Sequence, residues 1–400
     1  MVTRRHALAS LAAASGTVGL SGCGSVLSRQ AAEEPDLELD ENPHDVPARQ
    51  HAWNGALRED EHGNDVPAKH YRVALLSLRG PPSVDDARTV ERALRGIEAD
   101  HDWGPDGVLH TLAWGSGYFA LIDALERSPL THPRVLSRVD DPDLQRFDAA
   151  LVLAADDADR LQDVEREQFR RDTGSRLGAV FERTGTRTGF IGEGLPADFG
   201  DAAGADDVPI PEDAPMFTGF RSFRSDTQAS EDHVTIDSGD FAGGTTMHLS
   251  HIALSLDRWY SMAEDERVAR MFSPEFSSAD VEDLTTSVPF DGDVPSSVAE
   301  HGVAGHHEKV ARARNDGGPV ILRRDFNSAD GREPSVHFLS LQASLSDFRH
   351  TRRSMNGWYL RDEHSDVTDR RNNGLLSILR TTARANFYVP PRENRAFPLL

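Results

Sequence analysis

The sequence predicts an α+β fold in which one unit of strands and helices is used twice. Three observations carry this. Apolar strand-like runs alternate with amphipathic helical patterns from residue 70 onward, and the order of elements restarts near Phe241. A Pro-, Gly- and Asp-rich stretch, residues 196–215, separates the two passes as a linker or long loop.

The first pass begins at residues 70–78 (HYRVALLSL), a strand rich in aromatic and β-branched residues. Residues 84–99 place Val90, Ala93, Leu94 and Ile97 at helical spacing. Residues 108–114 (VLHTLAW) read as a second strand, ended by the turn Gly115-Ser116-Gly117, with a short helix over 118–126. Residues 149–155 (AALVLAA) form a buried strand, 157–169 an amphipathic helix, and 177–182 a fourth strand. Strand, helix, strand, strand, helix, strand is the order of a ferredoxin-like unit. The second pass predicts a strand over 245–256 and a helix over 257–272 with Trp259, Met262, Val268 and Met271 inward. Strands over 319–323 and 336–341 and a helix over 345–355 complete it.

Composition narrows the function. A net charge of −23 gives no basic excess with which to neutralise phosphates, so nucleic acid is not the expected partner. Of 43 cationic residues only Lys69 and Lys309 are lysines. Acid-rich, lysine-poor chains suit concentrated salt, where the Debye length shrinks to about 3 Å at 1 M and self-repulsion is screened. The expectation is a halophile's soluble globular protein.

The N-terminus reads as an address. Arg4 and Arg5 precede an apolar, Ala-rich stretch and then Leu20-Ser21-Gly22-Cys23. A twin-arginine start with a short apolar segment is a secretory signal. Leu-Ser-Gly-Cys resembles a lipobox, in which Cys23, the only cysteine, becomes the lipidated residue. The expected organisation is therefore a signal with lipobox over 1–23 and a disordered acidic tether over 24–67. A ferredoxin-like half follows over 68–200 and a second over 201–400. Export by the twin-arginine route would leave the protein lipid-anchored at the outer face of the cell membrane, with no other membrane contact.

Walker, Rossmann, H-E-x-x-H and zinc-type cysteine patterns are absent from the sequence. The stretch GHHEKVARARNDGGPVILRRDFNS, residues 305–328, instead gathers two histidines, a run of bases and a double arginine. His306 or His307 can offer a neutral imidazole to iron. Arg323 and Arg324 end an apolar run, so at least one points inward and needs an aspartate or an anionic ligand.

Five segments, in order, resemble the dye-decolorizing (Dyp-type) heme peroxidases over most of residues 70–360. They are HTLAWGSG from His110, FDAALVLAADD from Phe147, FAGGT from Phe241 with Trp259, Glu264 and Glu266, VILRR from Val320, and FLSLQ from Phe338 with Phe348. The resemblance implies two ferredoxin-like units packed sheet to sheet, of the dimeric α/β-barrel type, with a heme site in the second half. It implies heme b held by His307 as the iron ligand, with His306 as the alternative. It places a distal arginine at Arg324, with Arg323 as the alternative, and Phe338 beside the cofactor. The family's distal G-x-x-D-G loop corresponds to Phe217–Phe223, where the acid has become Ser222 and the second glycine Phe223. Serine cannot act as a general base near neutral pH, and Phe223 would crowd the distal face, so weakened peroxidase activity is expected. The partners implied are peroxide and a small-molecule reductant. The alternatives are a heme-binding or heme-delivery protein without turnover, and a heme-free domain keeping only the fold.

Overall fold

The computed structural model describes residues 46–170, 174–289, 293–315 and 317–400. The expectations for Arg4, Arg5 and Cys23 lie outside the described residues. No helix among the described residues is long and apolar enough to cross a membrane.

The first half comprises β1 (His70–Leu78), α1 (Val84–Asp100), β2 (Leu109–Gly115), β3 (Ala149–Ala155), α2 (Ala158–Gln168) and β4 (Phe181–Phe190). The second half comprises β5 (Thr245–Leu254), α3 (His306–Ala311), β6 (Leu322–Arg323), β7 (Phe326–Ser328), β8 (Ser335–Gln342), α4 (Leu345–Asn356) and β9 (Leu379–Val389). The strands order β4-β1-β3-β2 in the first half and β9-β5-β8-β6 in the second. With the short β7 set aside, both read fourth, first, third, second in their own chain order, the antiparallel ferredoxin-like arrangement. The fold is thus α+β with one unit used twice, as the sequence predicts.

The two sheets also join at their edges. β9 pairs with β2 at Phe387↔Gly115 and Tyr388↔Trp114. β7 pairs with β8 and meets β4 at Asn327↔Phe190, so the strands close into a ring. Gly189 permits that closure, since a Cβ there would lie 2.1 Å from the Asn327 carbonyl oxygen and 2.3 Å from the Phe326 ring. Inward side chains of both sheets, among them Val73, Leu75, Val152, Leu249, Leu341 and Phe387, fill the space between them as one apolar core.

Outside the first sheet, α1 and α2 pack a second core. α1 starts where Ser83 accepts a hydrogen bond from the Asp86 amide, with Asp85 and Asp86 in its first turn. Its buried face carries Val90, Ala93, Leu94 and Ile97, which meet Leu76, Leu112, Leu151 and Leu153 of the sheet. Burying one such side chain contributes roughly 1.5–3 kcal/mol.

Several expectations need correction. The tether expected over 24–67 is folded from residue 46 on: Gln50 and Trp53 are buried and Gln50 binds the backbone at Leu112 and Pro390. The strand expected over 177–182 is one helical turn, Leu177–Val180, and the strand begins at Phe181. The helix expected over 257–272 is two, Leu256–Tyr260 and Glu264–Met271. The supposed linker at 196–215 is a packed loop whose Ala203 and Ala205 join Phe190 and Phe217 in a small core. An eleven-residue strand, β9, had no counterpart in the sequence reading.

Candidate functional site

A cavity of about 240 Å³ lies on the outer face of the second sheet. Its floor is apolar, from Ile252 and Leu254 of β5, Val336 and Phe338 of β8, and Leu379 of β9. α3 and α4 border it, together with the loops 216–227 and 313–321. The chain between β5 and β6, residues 255–321, is long enough for its helices to stand off the sheet rather than seal it.

Alternation along one short stretch decides which side chains enter. β6 pairs Leu322 with Leu341 and Arg323 with Ser340, which turns Leu322 into the barrel core and Arg323 into the cavity. The next residues continue the pattern: Arg324 and Phe326 face the barrel core, and Asp325 lines the cavity. Arg324, the expected distal arginine, is therefore elsewhere. Its Nη2 donates to Glu231 Oε1 at 2.9 Å, Asn54 Oδ1 at 2.9 Å and the His51 carbonyl at 3.2 Å. Its guanidinium also stacks 4.7 Å from the Trp53 ring centroid. The segment thought to be a tether supplies His51, Trp53 and Asn54, which is why sequence alone could not foresee them.

Arg323 is held on the cavity wall by neutral groups. It donates to the Ser222 carbonyl at 3.0 Å, Ser222 Oγ at 3.2 Å, Thr227 Oγ1 at 3.2 Å and Gln228 Oε1 at 3.3 Å. Ser222 Oγ in turn donates to Asp325 Oδ2 at 3.2 Å. Asp325 Oδ1 is buried with no hydrogen-bond partner. Burial pushes the Asp325 carboxyl above its ordinary range, with the Arg323 charge opposing. The cavity thus holds a carboxyl group two residues from Arg323, although position 222 carries none. Phe223, expected to crowd the site, is on the other side of its loop and packs against the barrel core.

Both histidines of α3 line the cavity, with different surroundings. His307 Nε2 is 3.2 Å from the Val288 carbonyl oxygen, and burial with nearby arginine charge holds its imidazole at about 4. His306 Nδ1 is buried with no hydrogen-bond partner. Burial, then the charges of Lys309, Arg323, His307 and Arg352, hold its ring far below the usual 6.5, so it is neutral. A neutral imidazole with an unsatisfied nitrogen, above an apolar floor, fits the donor that heme iron takes. Among the cavity's expected residues the structure gathers His306, His307, Ser222, Phe338 and Arg323. Arg384 was missed; it sits in a strand whose polar residues hid it.

The model of a family of unknown function, DUF7405, matches residues 67–391. No curated protein matches the chain. Solved structures do. A DypB variant of Rhodococcus jostii in complex with heme superposes with a TM-score of 0.54 at 15% identity, covering 82% of this chain and 95% of that one. A dye-decolorizing protein from V. cholerae gives 0.51 at 16%, covering 85% and 97%. A dye-decolorizing peroxidase from Bacteroides thetaiotaomicron gives 0.51 at 14%, covering 87% and 100%. At these identities the likeness is one of fold.

Proposed function

The chain belongs to the DUF7405 family, and from that premise we propose that it is a heme-binding oxidoreductase that uses peroxide on small organic molecules. The observation that carries this reading is His306: a neutral, buried imidazole with an orphaned Nδ1 on an apolar cavity. The Dyp-type fold of its structural neighbours, one of them named as a heme complex, supports it. Arg4-Arg5 ahead of an apolar stretch and the lipobox-like Leu20-Ser21-Gly22-Cys23 support reading it as exported and lipid-anchored, and the peroxidase reading implies a small-molecule reductant as its partner.

Heme would be held by His306, with Phe338 and Ile252 against its apolar body, and would supply an iron able to pass electrons between an organic reductant and peroxide. The chain's own groups do the rest. Arg323, fixed by four acceptors, presents positive charge to an oxygen that becomes negative, at no cost in reorganisation. Asp325, its carboxyl raised by burial, can hold a proton at Oδ1 and exchange it with a bound hydroperoxide, the task position 222 cannot perform. Ser222 Oγ joins the two.

Titration of the purified protein with hemin, followed in the Soret region, tests the reading. His306→Ala is expected to lose the ligated spectrum and His307→Ala to keep it. The reverse result would return the ligand to His307. No binding by the unaltered protein would remove heme altogether, and binding without peroxide-driven dye oxidation would leave a carrier.

A further inference from the structure

The cavity is basic in an acidic protein. Arg221, Arg224, Arg314, Arg323, Arg352 and Arg384 line it, against only Asp140 and Asp325. Some of these charges are answered by the protein itself: Arg352 pairs with Asp140 at 3.2 Å, and Arg221 with Asp60 and Glu193. Arg224 is buried and, among the described residues, donates only to backbone carbonyls, at Leu284 and Arg221.

Arg384 is the extreme case. It is 1% exposed. Nη1 donates to Ser250 Oγ at 3.3 Å and lies 3.4 Å from His248 Nε2, and Nη2 donates to Thr381 Oγ1 at 3.3 Å. Nε is buried with no partner. Among the described residues no carboxylate forms an ion pair with it. Several buried arginines of this chain are treated differently: Arg324 faces Glu231, and Arg392 and Arg395 share Glu98, whereas Arg187 and Arg224, like Arg384, form no ion pair among the described residues. Burial, with the Arg352 charge adding to it, lowers the Arg384 guanidinium to about 9, so the site bears its positive charge at a disadvantage.

Local backbone geometry puts it there. A register shift in β9 between Thr381 and Ala383 changes the strand's alternation. Leu379 and Thr381 face the cavity before the shift and Arg384 after it, while Ala385 and Phe387 face the barrel core. Such irregularities re-aim single side chains beside functional sites. Burying a guanidinium with neutral partners is costly unless an anion joins it.

We propose that the Arg384 end of the cavity is a carboxylate subsite, taking the acid group of a ligand whose apolar body lies on Ile252, Val336 and Phe338. One unpaired guanidinium matches a monoanion; a phosphate dianion would need further donors. The apolar floor excludes a small free anion as the fitting ligand. The subsite shares the cavity with the heme reading and, for a porphyrin acid, rests on it.

Calorimetric titration of the purified full chain with 1-naphthoate and with its methyl ester tests the assignment. The acid is expected to bind at least about tenfold tighter than the ester, a difference of about 1.4 kcal/mol. Arg384→Gln should bind the two alike, and Arg384→Lys should recover part of the preference. Should Arg384→Gln fail to fold, the comparison in the unaltered protein decides. Equal binding of acid and ester, or a preference that survives Arg384→Gln, would overturn the subsite. Binding of 1-naphthyl phosphate tighter than the carboxylate would overturn its class. A separate hemin titration keeps the two ideas apart: hemin binding without an acid preference sinks the subsite and leaves heme, and the opposite result does the reverse.

Discussion

The two halves of this molecule are the same ferredoxin-like unit put to different ends. In the first, residues 79–108 connect β1 to β2 and α1 lies flat on the sheet, with Val90, Leu94 and Ile97 sealed against it. In the second, residues 255–321 connect β5 to β6, and their helices leave a cavity above Ile252, Val336 and Phe338. The first half gathers buried charges around one carboxylate: Glu98 meets His110, Arg392 and Arg395. The second leaves His306 Nδ1, Asp325 Oδ1 and Arg384 Nε without partners. Buried polar atoms left without partners occur elsewhere in the molecule too, but these three border one cavity, where a ligand can meet them.

Neighbouring residues repeat the contrast at smaller scale, and Arg324 and Arg323 give the largest expected effect. Arg324→Ala removes a buried guanidinium bonded to Glu231, Asn54 and the His51 carbonyl and stacked on Trp53, and should cost about 2–4 kcal/mol of stability in urea denaturation, although Glu231 keeps the Trp53 and Asn54 amides. Arg323→Ala removes a cavity-wall group bonded to neutral partners, and should cost about 1–2 kcal/mol while weakening the response to peroxide. Equal losses of stability would mean that the two arginines do not divide between core and cavity.

Acid should weaken the sealed regions and the cavity alike, since His306 and His307 are depressed as well. Burial, chiefly, holds the imidazoles of His51, His110 and His337 at about 3, about 4 and about 4, against 6.5 in an unfolded chain. Their folded values are depressed, so between pH 6.5 and about 4 the unfolded chain takes protons that the fold refuses. Stability is full above pH 6.5 and falls as pH drops through that window, by up to about 1.4 kcal/mol per unit per histidine. Urea midpoints at pH 7.5, 6 and 5 read this directly; a flat series would show the three rings already charged in the fold.

Salt should separate exterior from cavity. The net charge of −23 predicts a lower melting temperature in dilute than in molar salt, because the Debye length grows from about 3 Å at 1 M to about 10 Å at 0.1 M. Anion binding at buried Arg384 is screened much less than surface repulsion. A melting temperature that ignores salt would remove the halophile expectation.

How much of this was legible in the sequence follows from the same contrast. β1 and β3 were readable to the residue because their apolar runs are buried on both faces. β4 (FERTGTRTGF) was caught only at its first two residues, since two glycines and two arginines erase any period and its place is fixed by long-range pairing with β1. β9 (LRTTARANFYV) was missed because Thr381 and Arg384 face a cavity, and a register shift breaks the alternation that would announce a strand. The histidine pair and the arginine pair were visible as chemistry. Which member of each pair enters the site depends on one-residue alternation, and sequence carries that only if the strand's register is already known.

Ser222 and Phe223 give the smallest and finest form of the comparison. They are adjacent, and only Ser222 lines the cavity. Ser222 Oγ accepts from Arg323 and donates to Asp325, both at 3.2 Å, while Arg323 keeps its other acceptors without it. Ser222→Ala should therefore lose about 0.5–1.5 kcal/mol of stability. Its clearer signature is electrostatic. The hydroxyl favours the charged form of Asp325 against burial, so its loss should move the carboxyl further up and shift the acid limb of the peroxide reaction toward higher pH. Phe223→Gly, on the barrel side, should lower stability through lost packing and leave that limb where it was. Rates of peroxide-driven spectral change from acid to neutral pH in the two variants decide the matter. A limb that moves in Phe223→Gly and stays in Ser222→Ala would mean that this loop presents the opposite face to the cavity, and Asp325 would lose its claim to the proton.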